Sequence, residues 1–313
     1  MKRTFLYICI GFVLASASLA QVPVTLLDDK PPVFTVDVAS VDVLFTVTDK
    51  KGRAVRNLKQ EQVKVFEDDN PQTITTFSSE ANLPLTIALL IDVSGSVRDK
   101  LKFEREAAER FFESALARGK DRALAITFDT RIELIQDYTD DPAQLARSMK
   151  RIRAGGGTAF YDAVQVAVNR KLRDQEGRRI LVVITDGDDT ASRSTIADAL
   201  AAAQRNDVII YVISTNSTGF WGDKNWNGDD LLKKLAEPTG GRVFSPAKAS
   251  DLGSNFKDIA QELRLQYALS YSPTNPARDG AYRQIRIESP DKKHVVRARA
   301  GYYAPRSGDV AGR

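Results

Sequence analysis

Five oxygen-bearing side chains define the chemistry open to this sequence. Asp92, Ser94 and Ser96 stand at alternate positions in Asp92-Val93-Ser94-Gly95-Ser96. Thr158 follows the glycine run Gly155-Gly156-Gly157, and Asp186 sits in Thr185-Asp186-Gly187. All five are hard oxygen donors, a set that suits Mg²⁺ or Mn²⁺ and not zinc. Neutral hydroxyls hold an ion without cancelling its charge, and the aspartates can act through bound water. The ion then keeps an electrophilic open position. An incoming carboxylate completes the shell through a charge-assisted contact. Taken alone, Asp-x-Ser-x-Ser reads equally well as a turn that caps the next helix. The other two loops decide between these readings.

Scarcity excludes most alternatives. The chain of 313 residues has one Cys, Cys9, and one His, His294. A His/Cys zinc site, a Cys nucleophile and structural disulfides in the mature chain are therefore out of reach. A Ser-His-Asp triad would have to use His294, which sits in a late strand-like segment away from any nucleophile elbow. A phosphoryl hydrolase with Asp92 as nucleophile wants a second Asp two residues on, where Ser94 stands. The formal charge is +4, no Lys/Arg run occurs, and Lys2 and Arg3 leave with the N-terminus, so nucleic acid is not expected as a partner. Apolar content of 42% and charged content of 27% allow a full core.

The elements that must position the five residues follow from the apolar pattern. Thr86 to Ile91 and Ile180 to Ile184 are charge-free, as strands buried on both faces are. Val208 to Ser214 is a third such run, and Ala123 to Phe128 a fourth strand with Ile132 to Ile135 as a hairpin partner. Between them lie helical spacings at Lys100–Arg118, from a cap at Asp140 or Asp141 through Ile152, and at Phe160–Leu172, Thr195–Arg205, Asp229–Glu237 and Asp251–Leu263. Alternation of buried strands and helices predicts an α/β, Rossmann-like doubly wound, mainly parallel sheet. Asp92, Thr158 and Asp186 then meet at its carboxyl edge, where open α/β sheets place their ligands.

At these residues the sequence resembles the metal-ion-dependent adhesion site of von Willebrand factor A domains. The resemblance covers about Leu83 to Leu263 and fills all five positions of the motif. It implies that the two serines and the threonine touch the ion, directly or through water, while the aspartates support them. It also implies a protein ligand that donates a Glu or Asp side chain. The whole chain is similar to bacterial secreted proteins that carry a domain of this type. No Gly-Lys-Ser/Thr follows the glycine run, so a phosphate cradle is not expected there.

Residues 1–20 read as a signal peptide, with Lys2 and Arg3, the apolar run Phe5–Leu14 and the small-x-small site Ser18-Leu19-Ala20. Residues 21–32 read as a linker. Residues 33–80 and 265–304 return to period two and predict two β segments, each too small to stand alone. They are expected to combine into one small sandwich beside the α/β domain at 83–263; integrin β subunits offer an analogy. No stretch of the mature chain is apolar for 18 residues, so no transmembrane span is expected. The protein is expected to be secreted or periplasmic.

Phe220, Trp221 and Trp226 share one loop expected on the metal face. They read as an aromatic anchor for a partner or, equally, as rings folded back on the domain. In the same loop Asp223, Asn225, Asn227, Gly228 and Asp229 match half a calcium loop, but Lys234 stands where a bidentate Glu is needed. The leading expectation is a non-enzymatic binding module that grips an acidic residue through Mg²⁺ (or Mn²⁺) at Asp92, Ser94, Ser96, Thr158 and Asp186. The alternatives are a metal-dependent hydrolase and a structural envelope protein whose metal only stabilises the fold.

Overall fold

The structure is a computed structural model that describes residues 40–50, 52–78, 83–98, 101–216, 226–246 and 251–307. The expected signal peptide and linker lie outside them. Chain order starts with four strands, β1 (Val41–Asp49), β2 (Lys64–Glu67), β3 (Asn70–Gln72) and β4 (Ile74–Ser78). The α/β portion runs β5 (Leu85–Asp92), α1 (Leu101–Ala115), β6 (Arg122–Phe128), β7 (Ile132–Thr139), α2 (Pro142–Met149), α3 (Phe160–Val166), β8 (Arg178–Thr185), α4 (Ile196–Arg205), β9 (Val208–Ser214), α5 (Trp226–Ala236), β10 (Val243–Phe244) and α6 (Leu252–Arg264). Helix α3 continues as a π-helix over Ala167–Leu172. Four strands follow: β11 (Tyr267–Tyr271), β12 (Tyr282–Glu288), β13 (His294–Ala298) and β14 (Gly301–Tyr303).

The central sheet has six strands in the order β10-β9-β8-β5-β6-β7, all parallel except β7. The mainly parallel α/β sheet read from the sequence is therefore present. Strand β5 is buried at all eight positions, and its alternate residues feed two cores. Ile87, Leu89 and Ile91 pack with Phe111, Phe112 and Phe256 on one face. Ala88 and Leu90 pack with Phe160, Val164, Ala203 and Leu235 on the other. A strand covered on both faces admits no charge along its length, which is why its first seven residues carry none. Asp92 is its last residue, where the sheet ends.

The flanking segments interleave. One antiparallel sheet runs β13-β1-β11-β4 and the other β14-β12-β2-β3, so each takes two strands from either end of the chain. Val43, Phe45, Val65, Tyr267, Leu269, Ile285 and Tyr302 belong to one core. The C-terminal part forms four strands, because the chain turns at Arg299–Ala300 and Tyr302-Tyr303 pairs back onto β12. Strand β3 pairs with β2 although it contains a proline. Its Pro71 is tolerated because β3 is an edge strand with a neighbour on one side only.

This β body meets the α/β body at the amino edge of the central sheet. Arg297 Nη2 lies 2.6 Å from Glu262 Oε2, and the Tyr211 hydroxyl donates to Glu262 Oε1 at 3.0 Å. The Ala300 N–H donates to the Pro238 carbonyl at 2.9 Å. The candidate site lies at the opposite, carboxyl edge.

At the amino edge Asp121 is fully buried and ties three elements together. It accepts from the Leu85 and Ala117 N–H groups at 2.9 and 2.8 Å and from the Arg264 guanidinium. Burial pushes its carboxyl up, but the Arg264 contact and the two amides outweigh that and hold it below the usual range. Its ionised form therefore stabilises the fold above pH 4, and that contribution fades as pH falls further. Asp121→Asn is expected to lower unfolding free energy by about 2 kcal/mol at pH 7. The difference from wild type should shrink below about pH 4 in urea titrations followed by circular dichroism.

Candidate functional site

Strands β5 and β8 run side by side, with Ile91 opposite Ile184, so their carboxyl ends emerge together. Asp92 is fully buried at that point. Its Oδ1 accepts from the Ser94 N–H at 2.8 Å and its Oδ2 from the Thr185 hydroxyl at 2.8 Å. Thr185 Oγ1 in turn accepts from the Gly187 N–H at 3.1 Å. The hydroxyls of Ser94 and Ser96 are 3.0 Å apart, and Ser96 donates to Asp186 Oδ2 at 2.7 Å. Four of the five expected residues thus form one hydrogen-bonded group across two loops.

Thr158 arrives on the third loop. The Gly95 N–H donates to the Gly156 carbonyl at 3.1 Å, and the Gly155 N–H to the Val93 carbonyl at 2.7 Å, which laces the glycine run to the first loop. Gly156 has φ +84°, and a Cβ there would stand 3.1 Å from Asp129 Oδ2, so both backbone and space call for glycine. Thr158 is buried. Its N–H donates to Thr190 Oγ1 at 3.0 Å, and its carbonyl accepts from the Thr190 and Ala191 N–H groups at 2.9 Å. Among the described residues its hydroxyl is hydrogen-bonded to none of the other four.

The electrostatics of this corner are one-sided. Burial lifts the Asp92 carboxyl to about 6; the Asp186 charge adds to the rise, while hydrogen bonds from Ser94 and Thr185 oppose it. Among the described residues no basic side chain pairs with either aspartate. The donor set is all oxygen, carries two close carboxylates and lacks a counter-charge, which fits a hard divalent cation. Among the described residues no three His, Cys, Asp or Glu side chains gather around one point, so hydroxyls must supply part of any shell.

Two contributors escape a reading by motif. Thr185 holds Asp92 directly, and it was visible only as the neighbour of Asp186. Asn216, just past β9, donates its side-chain amide to the Asp186 carbonyl. Nothing local marks it, since its role depends on β9 ending level with β8, where Thr185 stands opposite Ser214.

The aromatic loop needs correction at one residue. Trp226 opens helix α5 and does not sit in a loop, because the helix begins three residues before the expected Asp229. Phe220 and Trp221 lie outside the described residues. The calcium pattern is also broken by this helix. Asp229 Oδ1 accepts from Ser214 Oγ at 2.6 Å, and Asp229 Oδ2 from Ser245 Oγ at 3.2 Å. His294 Nδ1 lies 2.8 Å from Ser289 Oγ, but Asp291 is 3.7 Å from Nε2, too far for a hydrogen bond.

Residues 87–188 match the family model of the von Willebrand factor type A domain. All five candidate residues fall inside that matched span. An uncharacterized protein of Synechocystis sp. is 24% identical over 188 residues, 59% of this chain, and the match covers 43% of that relative's length. A von Willebrand factor type A structure from Catenulispora acidiphila aligns with TM-score 0.50 and 13% identity over 88% of this chain and 76% of its own. Proximal thread matrix protein 1 of the mussel byssus aligns with TM-score 0.50 and 15% identity over 63% of this chain and 51% of its own. These structural likenesses are likenesses of fold. The first extends well beyond residues 87–188.

Proposed function

We propose that this chain is an extracytoplasmic, non-enzymatic binding module with a metal-ion-dependent adhesion site. The observation that carries the reading is the hydrogen-bonded group of Asp92, Ser94, Ser96 and Asp186, with Thr158 on the adjoining loop. Ser94, Ser96 and Thr158 would hold Mg²⁺ or Mn²⁺ through their hydroxyls, and Asp92 and Asp186 would support it directly or through water. The bound ion supplies a Lewis-acidic position for a Glu or Asp side chain of a protein partner. Thr185 and the Ser94 N–H fix both oxygens of Asp92, so the carboxylate stays oriented toward the hydroxyls. Among the described residues the site offers no His, Lys or Cys to move a proton, which favours holding over turnover. The signal-peptide pattern at residues 1–20 supports a secreted or periplasmic location. Among the described residues no helix is long and apolar enough to cross a membrane.

Calorimetric titration of Mg²⁺ and Mn²⁺ into the protein tests the reading. Wild type is expected to bind one ion, and Ser94→Ala to weaken it about tenfold, the loss of one oxygen contact. Capture of partners from envelope extract should require Mg²⁺ and fail with chelator. A wild type that binds neither ion, or a partner held equally well in chelator, overturns it.

A further inference from the structure

A cleft of about 680 Å³ opens beside the candidate site, between the carboxyl end of α2, strands β6 and β7, and the first site loop. Four arginines line it: Arg131, Arg147, Arg151 and Arg153. Arg131 is spent on the cleft's own acids, 3.6 Å from Glu133 and 3.9 Å from Asp129. Arg147 has only a 3.9 Å contact with Asp141, a carboxylate that Arg118 already holds at 2.7 Å. Arg151 and Arg153 are exposed and form no ion pair among the described residues. Three guanidinium groups therefore face one cavity with little or no counter-charge.

The cleft is continuous with the site. Val93, between Asp92 and Ser94, lines it. Asp129, on its wall, lies against Gly156 of the glycine loop. Val93 and Asp129 thus place the cleft directly beside the five-residue site.

We propose that the arginine cleft binds a run of acidic residues in the partner polypeptide, next to the residue held at the metal. The inference rests on the metal-site reading for its partner class. Arginine forks match carboxylates in bidentate fashion, and the amides of Gln136 and Gln144 add neutral donors. Asp129 and Glu133 in the walls count against a nucleic-acid strand, whose phosphates repeat at every step. Spaced carboxylates can avoid them.

The probe is acetyl-hexaglutamate amide, compared with a blocked Gly-Gly-Glu-Gly-Gly peptide, by fluorescence polarisation in Mg²⁺. Wild type should bind hexaglutamate about tenfold tighter than the single-glutamate peptide, from three exposed charge contacts. The variant R147Q/R151Q/R153Q should lose that advantage. Its Mg²⁺ binding, its affinity for the single-glutamate peptide and its melting temperature should match wild type. Unchanged hexaglutamate binding in the triple variant overturns the proposal, as does tighter binding of a hexathymidine strand than of hexaglutamate. If wild type binds no Mg²⁺ but hexaglutamate still depends on the three arginines, the metal reading falls and the cleft proposal is supported.

Discussion

Glu67→Ala should lower the unfolding free energy by about 3–5 kcal/mol, enough to consume much of the stability of a domain this size. Glu67 ends β2 with only 2% of its surface exposed, in the core between the two flanking sheets. Its Oε2 accepts from the hydroxyls of Tyr271 at 2.8 Å and Tyr302 at 2.9 Å. Its Oε1 faces Arg283 Nη1 at 3.4 Å, and that arginine is itself 3% exposed. Arg283 also donates to the carbonyls of Asn275 and Ala277. One carboxylate from the N-terminal segment therefore joins β11, β12 and β14 of the C-terminal segment. Burial, and then the Glu67 charge, raise both tyrosines well above their ordinary range, so they stay protonated donors. Truncation strands two buried hydroxyls and leaves the buried guanidinium with only the half-exposed Asp279, 3.7 Å away, as a carboxylate partner. Glu67→Gln keeps an acceptor and should cost less. Glu67→Leu with Arg283→Met removes both charges together and should recover part of the loss. Urea unfolding separates these outcomes; a loss under about 1 kcal/mol for Glu67→Ala would show that the carboxylate does not hold the sheets together.

The same residue shows what the sequence reveals and what it hides. Val63, Val65 and Glu67 share one parity, so period two places Glu67 on the buried face. Its charge argues the other way, and only the three partners from 204 to 235 positions later in the chain resolve the conflict. The central sheet was legible because β5 carries no charge before Asp92 and β8 none from Ile180 to Thr185, and two-sided burial demands that. The interleaving of the flanks was legible as a need, since neither β segment has enough apolar surface alone. Strand order within them was not, because antiparallel pairing follows from long-range register. At the site, Asp92, Ser94, Ser96 and Asp186 were readable from spacing, and the structure joins them through hydrogen bonds. Asn216 and the arginine cleft were not readable, because both depend on which strand ends lie level. Arg131 and Arg151 come from different elements and share a cavity only after α2 packs beside β7.

Asp92→Asn should strengthen the metal-free fold while abolishing its response to Mg²⁺. The sign follows from burial. The folded-state pKa of Asp92, about 6, lies above its ordinary 3.8, so the folded chain binds more protons than the unfolded chain between those values. Stability of the metal-free wild type therefore falls as pH rises from about 4 to about 6, and stays lower above that. Two pKa units correspond to about 3 kcal/mol at most. Asparagine carries no charge to bury. Its Oδ1 can keep the Ser94 N–H, and its Nδ2 meets Thr185 Oγ1, which accepts as readily as it donates. The variant should thus melt higher than wild type at pH 7 in chelator, and equally near pH 4. Excess Mg²⁺ reverses the order. At a hundred times its dissociation constant the ion stabilises wild type by about 2.7 kcal/mol. The variant has lost the anionic oxygen and should gain almost none of this. Thermal melts of both proteins at pH 4 and pH 7, with and without Mg²⁺, give the full comparison. A variant that melts lower than wild type in chelator would mean that the Asp92 charge already has a compensating partner. A variant that still responds to Mg²⁺ would place the ion elsewhere.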